Sequence, residues 1–348
     1  FGITLPHDLT TSPFSGGIIN LPAVLIILII TALLVVGTSE STKVNNVIVA
    51  VKLAVIVFFL ITGFGHINPA NWSPFLPFGN LGVLRGAGII FFAYIGFDQI
   101  STSAEETLNP ARDMPIGIIA SLLVCTVLYI LVTAVLTGLV SYKELDVASP
   151  VSHALIIIGM GAAGSIISVG AVCGLTTVLL ILLFGQSRII FSMARDGLLP
   201  DFFSRIHPRY RTPYLSTLLV GVVVALVAGL TPIDVVAELT NIGTLAAFVL
   251  ISFAVIVLRR TQPNLRRTFR VPWVPVLPIL SMLGSFALIL TLPLITIVRF
   301  LVWLALGLLM YFLYSRHNSH LQRDIAMGAV GSDHSDLDDI TEIRPRSR

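Results

Sequence analysis

The sequence predicts an all-α integral membrane protein of about nine spans, and three observations carry that prediction. Of 348 residues, 55% are hydrophobic and only 11% charged, where soluble domains carry about 25% charged residues. Apolar runs of the ~17–25 residues that a crossing helix needs recur along the whole chain, in place of the ~10-residue alternation of a β-barrel. Lys and Arg gather in alternate connectors, the pattern that orients a multi-span protein.

Taken in order, residues 1–20 (FGITLPHDLTTSPFSGGIIN) carry neither the basic nor the apolar region of a signal peptide. They read as the remnant of an extracellular loop, with an amino-terminal part of the protein missing. A transmembrane domain occupies 21–314, with spans near 21–37, 44–64, 81–106, 115–140, 164–194, 214–230, 237–258, 275–294 and 296–314. The third is weak and interrupted, the fifth is over-long, and the last two share the boundary TLPLITIVRF. The tail, 315–348, is polar with an acidic cluster (Asp333, Asp336, Asp338, Asp339) and is expected to be disordered.

Of the 21 Lys and Arg, 17 fall in one set of alternate connectors and the tail, against Arg85, Lys143 and Arg299 in the other set. The first set belongs in the cytoplasm, so residue 1 lies outside and the carboxy terminus inside, in a plasma or inner cell membrane. The pI near 9.0 comes mostly from these connector arginines, so lipid is the implied partner and nucleic acid is not. Oligomeric state is left open. Cys125 and Cys173 sit inside apolar runs, giving no support to a disulfide, zinc or haem. No span interior holds a histidine or a carboxylate pair, so neither an enzyme's active site nor a cofactor or metal is called for.

Four features carry chemistry. The first is FFAYIGFDQISTSAEETLNP, residues 91–110, where an apolar segment turns polar partway. Irregular backbone at membrane depth is tolerated only where it faces protein or a wet cavity. Gly96 permits a break, and Asp98, Gln99 and Ser101 tolerate hydration. One half-helix would end near Phe92–Ala93 with free carbonyls and another start near Asp98, the way secondary transporters build substrate sites. The alternative is a continuous helix whose last turns Asp98 caps.

The second is Lys52, about 12 Å of helix from the cytoplasmic edge of its span, among Val, Ala and Leu. A lysine at a helix centre costs ~2.5–3.5 kcal/mol, and an amine that trades its proton there is a proton carrier; otherwise it snorkels to the headgroups. The third is the hydroxyl pair Thr176 and Thr177, which matters only if it faces Lys52 or the break, because threonine in a helix usually bonds its own backbone. The fourth is a charged set, Glu105, Glu106, Arg112, Arg188, Arg195 and Asp196, which forms either an inner gate or ordinary interfacial charge.

The strings FFAYIGFDQISTSAEETLNPARDMPIGI, RIIFSMARDGLLP, NIGTLAAFVLISFAVIVLRR and FRVPWVPVLPILS together closely resemble the amino acid–polyamine–organocation superfamily, above all the bacterial relatives of the cationic amino acid transporters. The resemblance runs from about residue 17 to 316. It implies a partial 5+5 inverted-repeat transporter fold of the LeuT type, with these spans matching helices four to twelve of twelve and the first three absent. It implies that carbonyls at Phe92, Ala93 and Tyr94, beside Gly96 and Asp98, receive the ammonium of an L-amino acid, and that Phe97 covers the substrate from outside. Lys52, with Thr176 and Thr177 nearby, matches a lysine of the proton-coupled branch, whose ammonium stands where related symporters hold sodium. The coupling ion is then a proton, and sodium is not expected.

The leading expectation is therefore a proton-coupled L-amino acid symporter working by alternating access. An amino acid exchanger without proton coupling, and a transport-dead membrane sensor or partner subunit, are the alternatives. Counterflow with and without a proton gradient separates the first two. Binding without movement across a vesicle marks the third.

Overall fold

A helix keeps all its backbone bonds within itself, so a chain this apolar folds as helices wherever it meets lipid. A computed structural model of the protein describes residues 6–37, 42–97, 107, 109–147, 149–263, 267 and 269–320, with helices and irregular connections and no strand among them. The described helices of eight residues or more are α1 (Leu21–Val36), α2 (Thr42–Phe64), α3 (Gly79–Ile90), α4 (Pro110–Leu139), α5 (Pro150–Ile157), α6 (Gly161–Arg195), α7 (Tyr214–Leu230), α8 (Ile233–Thr261), α9 (Val276–Thr291) and α10 (Leu294–Met310). Helices α2, α4, α6, α8 and α10 with its continuation to Asn318 are long and apolar enough to cross a membrane, and α1, α7 and α9 are shorter apolar helices.

Local chemistry sets the ends. Asn20 accepts the amide of Ala23 at 3.2 Å, with a proline in the first turn of α1. Proline opens α4 and α5 and immediately precedes α8, where its missing N–H is no loss. Arg259 and Arg260 close α8 with positive charge at the negative end of its dipole. The interruption expected in the 81–106 span follows α3, which stops at Ile90, and residues 98–106 lie outside the described residues. One element, α5, eight residues between two spans, was not foreseen.

The chain packs as two units. One comprises Phe1–Ile19, Ser39–Leu179 and Leu230–Phe300, and the other Asn20–Thr38, Leu180–Gly229 and Leu301–Arg348. In the first, Phe59 of α2, Val135 and Leu139 of α4, Ala154 and Leu155 of α5, and Ala163 and Ile167 of α6 form a buried apolar cluster. Polar ties fasten its rim. Asn71 donates to the Gly138 carbonyl at 2.8 Å, and Ser168 donates to Ser152, which donates to the Gly164 carbonyl. Helices α8 and α9 of the same unit are joined by a Ser252–Ser281 bond of 3.1 Å. The Thr296 hydroxyl of α10 also bonds the Glu238 carboxylate of α8.

In the second unit α1 and α7 run antiparallel, tied at both ends. The Asn20 amide donates to the Gly229 carbonyl at 3.0 Å, and the Thr212 hydroxyl donates to the Val35 carbonyl at 2.7 Å. Gly221 lets them close, since a Cβ there would strike the Thr31 side chain.

Outward faces are apolar over most of the helices; Ile61 is 74% and Leu313 71% exposed. Such a surface suits lipid rather than water. The contrast with the core is testable. Phe59→Ala, which empties a 2%-exposed site, should cost about 3–5 kcal/mol and sharply lower the thermal midpoint in detergent. Ile61→Ala should leave that midpoint nearly unchanged.

Candidate functional site

The break foreseen near Gly96 lies in the first unit and begins earlier than the sequence implied. The helix α3 ends at Ile90, a 3₁₀ turn covers Phe91–Tyr94, and Ile95 is extended at φ −62°, ψ 133°. Gly96 follows at φ +122°, a conformation that residues with a Cβ rarely adopt. A Cβ there would meet nothing within 4 Å, so the requirement for glycine is conformational and not steric.

Three side chains from other helices hold this segment. The Tyr129 hydroxyl of α4 donates to the Ala93 carbonyl at 2.6 Å, and its ring meets that of Tyr94 edge-on at 5.2 Å. From α8, the Asn241 amide donates to the carbonyls of Gly88 and Ile89 at 3.0 and 3.1 Å. Phe248, also on α8, packs against Phe91 at 6.1 Å and Phe97 at 5.5 Å. A carbonyl has two lone pairs, so Ala93 keeps one acceptor position beside its bond to Tyr129.

Lys52 lies half-buried against α6. Its Cγ, Cδ and Cε are 3.4–3.7 Å from where a Cβ of Gly174 would stand. One turn earlier on α6, Gly170 meets Val55 so closely that a Cβ would come within 2.7 Å of a Val55 methyl. The two glycines, four apart, form the small-residue seam that lets membrane helices approach. Thr177 donates to the Gly174 carbonyl at 2.7 Å, which places that hydroxyl beside the glycine under the lysine stem. Thr176 instead donates to the Val172 carbonyl at 2.8 Å.

Asp98, Glu105 and Glu106 lie outside the described residues. Arg188 sits over the Phe184 ring at 4.1 Å, and Arg195 occupies the last turn of α6. Sequence reasoning missed Tyr129, Asn241, Phe248 and Gly174. The glycine pair in GAVCG was a readable signal, as was a lone asparagine in an apolar helix.

A family model described as amino acid permease matches residues 8–314. The chain belongs to that family. The permease is 50% identical over 325 residues to a methylthioribose transporter of Bacillus subtilis (strain 168), covering 93% of this chain and 70% of the relative. It is also 50% identical over 327 residues to the branched-chain amino acid permease BcaP of the same organism, covering 92% and 70%. With the vacuolar cationic amino acid transporter 4 of Arabidopsis thaliana it shares 40% over 260 residues, 73% of this chain and 43% of the relative. These relatives are transporters and permeases, and the permease is a multi-pass membrane protein of that kind and not an enzyme.

The closeness of α2 to α6 gives a direct check. Cβ positions at 55 and 170 stand 3.3 Å apart, close to the ~3.5–4.5 Å of a disulfide. With Cys125→Ser and Cys173→Ser as background, the pair Val55→Cys and Gly170→Cys should oxidise readily in membranes and then resist a maleimide–polyethylene glycol label. Full labelling of both thiols after oxidation would show that the seam is not closed.

Proposed function

We propose that the permease carries an L-amino acid together with a proton across a cell membrane by alternating access, with its carboxy terminus in the cytoplasm. The observation that carries the reading is the interruption at residues 91–97. There a helix stops inside an apolar segment and leaves backbone carbonyls outside the α-helical ladder. Such carbonyls are acceptors for an ammonium group, and discontinuous helices serve this purpose in secondary transporters. The carbonyls of Phe92 and Tyr94, with the remaining acceptor on Ala93, receive the substrate's α-ammonium. Phe97 closes over it. The names of the relatives, among them a branched-chain amino acid permease and a cationic amino acid transporter, support the substrate class.

Lys52 supplies the coupling. Its stem lies on a glycine seam rather than on a bulky helix face. The ammonium form there would also repel a bound sodium ion. Proton loss and gain at Lys52 alternate with substrate binding and release, which ties uptake to the proton gradient.

One relative is named for methylthioribose, which has no α-ammonium or carboxylate. A second substrate reading, a neutral thio-sugar, follows from it. Competition for uptake by L-leucine, L-arginine and methylthioribose separates the classes.

For the coupling, full-length protein carrying Lys52→Ala in proteoliposomes should still exchange amino acid across the membrane. Its net uptake should fall to the level seen without a pH gradient. Proton-driven accumulation equal to the parent's would remove Lys52 from the mechanism.

A further inference from the structure

A helix that continued past Ile90 would give the Gly88 carbonyl the amide of Phe92, and the Ile89 carbonyl the amide of Ala93. The α-helix stops before either bond forms. At Gly88 one side chain from a helix some 150 residues away in sequence stands in place of the missing amide, and at Ile89 it joins the amide of Phe91. Asn241 is 1% exposed, and its amide nitrogen donates to both carbonyls. Its own Oδ1 is buried and finds no partner among the described residues. A buried acceptor without a partner is a cost, and the group is therefore not present to satisfy itself.

The surroundings fix the same place. Gly88 presses on α9, where a Cβ would strike the Thr291 hydroxyl. Phe248 lies seven residues beyond Asn241 on α8, two turns along roughly the same face, and its ring touches Phe91 and Phe97 on either side of the 3₁₀ turn. One face of α8 thus caps the end of α3 and braces the segment after it.

We propose that Asn241 is a positioning residue for the substrate site. By taking the place of the Phe92 amide at Gly88 and adding a donor at Ile89, it decides where α3 stops and keeps the 92–94 carbonyls available to substrate. The inference rests on the amino acid reading of the break given above. Without the asparagine donor, the Gly88 carbonyl regains a partner by drawing the Phe92 amide into the helix, which rewinds the site.

The test uses full-length protein in detergent, with L-leucine as the probe and binding measured at acidic and alkaline pH against the parent at the same pH. Asn241→Leu, which keeps the bulk and loses both donors, should bind leucine at least about tenfold more weakly while remaining monodisperse. Asn241→Asp should be equally weak at alkaline pH and recover part of the loss at acidic pH, where a protonated carboxyl again donates one bond. That comparison is made within a single folded variant, so poor expression of Asn241→Leu does not spoil it. Parental affinity in both variants at both pH values would overturn the assignment. A parent that binds no leucine would overturn the substrate reading and this inference with it.

Discussion

Hydrocarbon offers no hydrogen bonds, so any helix that stops within it must find replacement partners for the backbone groups it releases. That constraint organises the first unit. Ending α3 at Ile90 frees carbonyls that would cost on the order of 1–3 kcal/mol each if left bare. Asn241 reaches Gly88 and Ile89, and Tyr129 reaches Ala93. Those two residues stand on α8 and α4, so the break requires both helices to be in place before it is stable. The aromatic contacts of Phe248 and Tyr129 add a packed wall, each ring pair contributing about 0.5–1.5 kcal/mol beyond its buried area.

The same economy appears at Lys52, where a charged group sits in an apolar helix at an insertion cost of ~2.5–3.5 kcal/mol. The residues around it are small where they need to be. Gly174 receives the lysine stem, and Gly170 receives Val55 one turn away. Lys52, Val55 and Phe59 share one face of α2, so the polar and apolar contacts to the rest of the unit are made by a single stripe. Phe59, at 2% exposure, anchors that stripe in the α2–α4–α5–α6 cluster.

Much of this is legible in the sequence. Span positions followed from apolar run length to within a few residues, but α4 and α8 start at Pro110 and Ile233, ahead of the apolar runs from 115 and 237, because proline at or before the first turn sets those ends. Lys52 stood out as a charge without local company, and Gly96 as a point where the chain could turn. The exact end of α3 was not legible, because it depends on a donor at residue 241 that no local pattern connects to residue 88. Tyr129 and Phe248 carry no local mark in their apolar helices, and only their contacts distinguish them. The helix α5 was hidden for another reason: at eight residues it is too short to show a period, and its proline start resembles a loop.

The central claim is that the 91–97 interruption is where an amino acid binds. An experimental density map of the full-length permease with L-leucine bound tests it most directly. The account predicts the α-ammonium within hydrogen-bond reach of the carbonyls at 92–94, with α3 ending near Ile90. Leucine bound elsewhere, or an unbroken helix through residues 88–97, would contradict it.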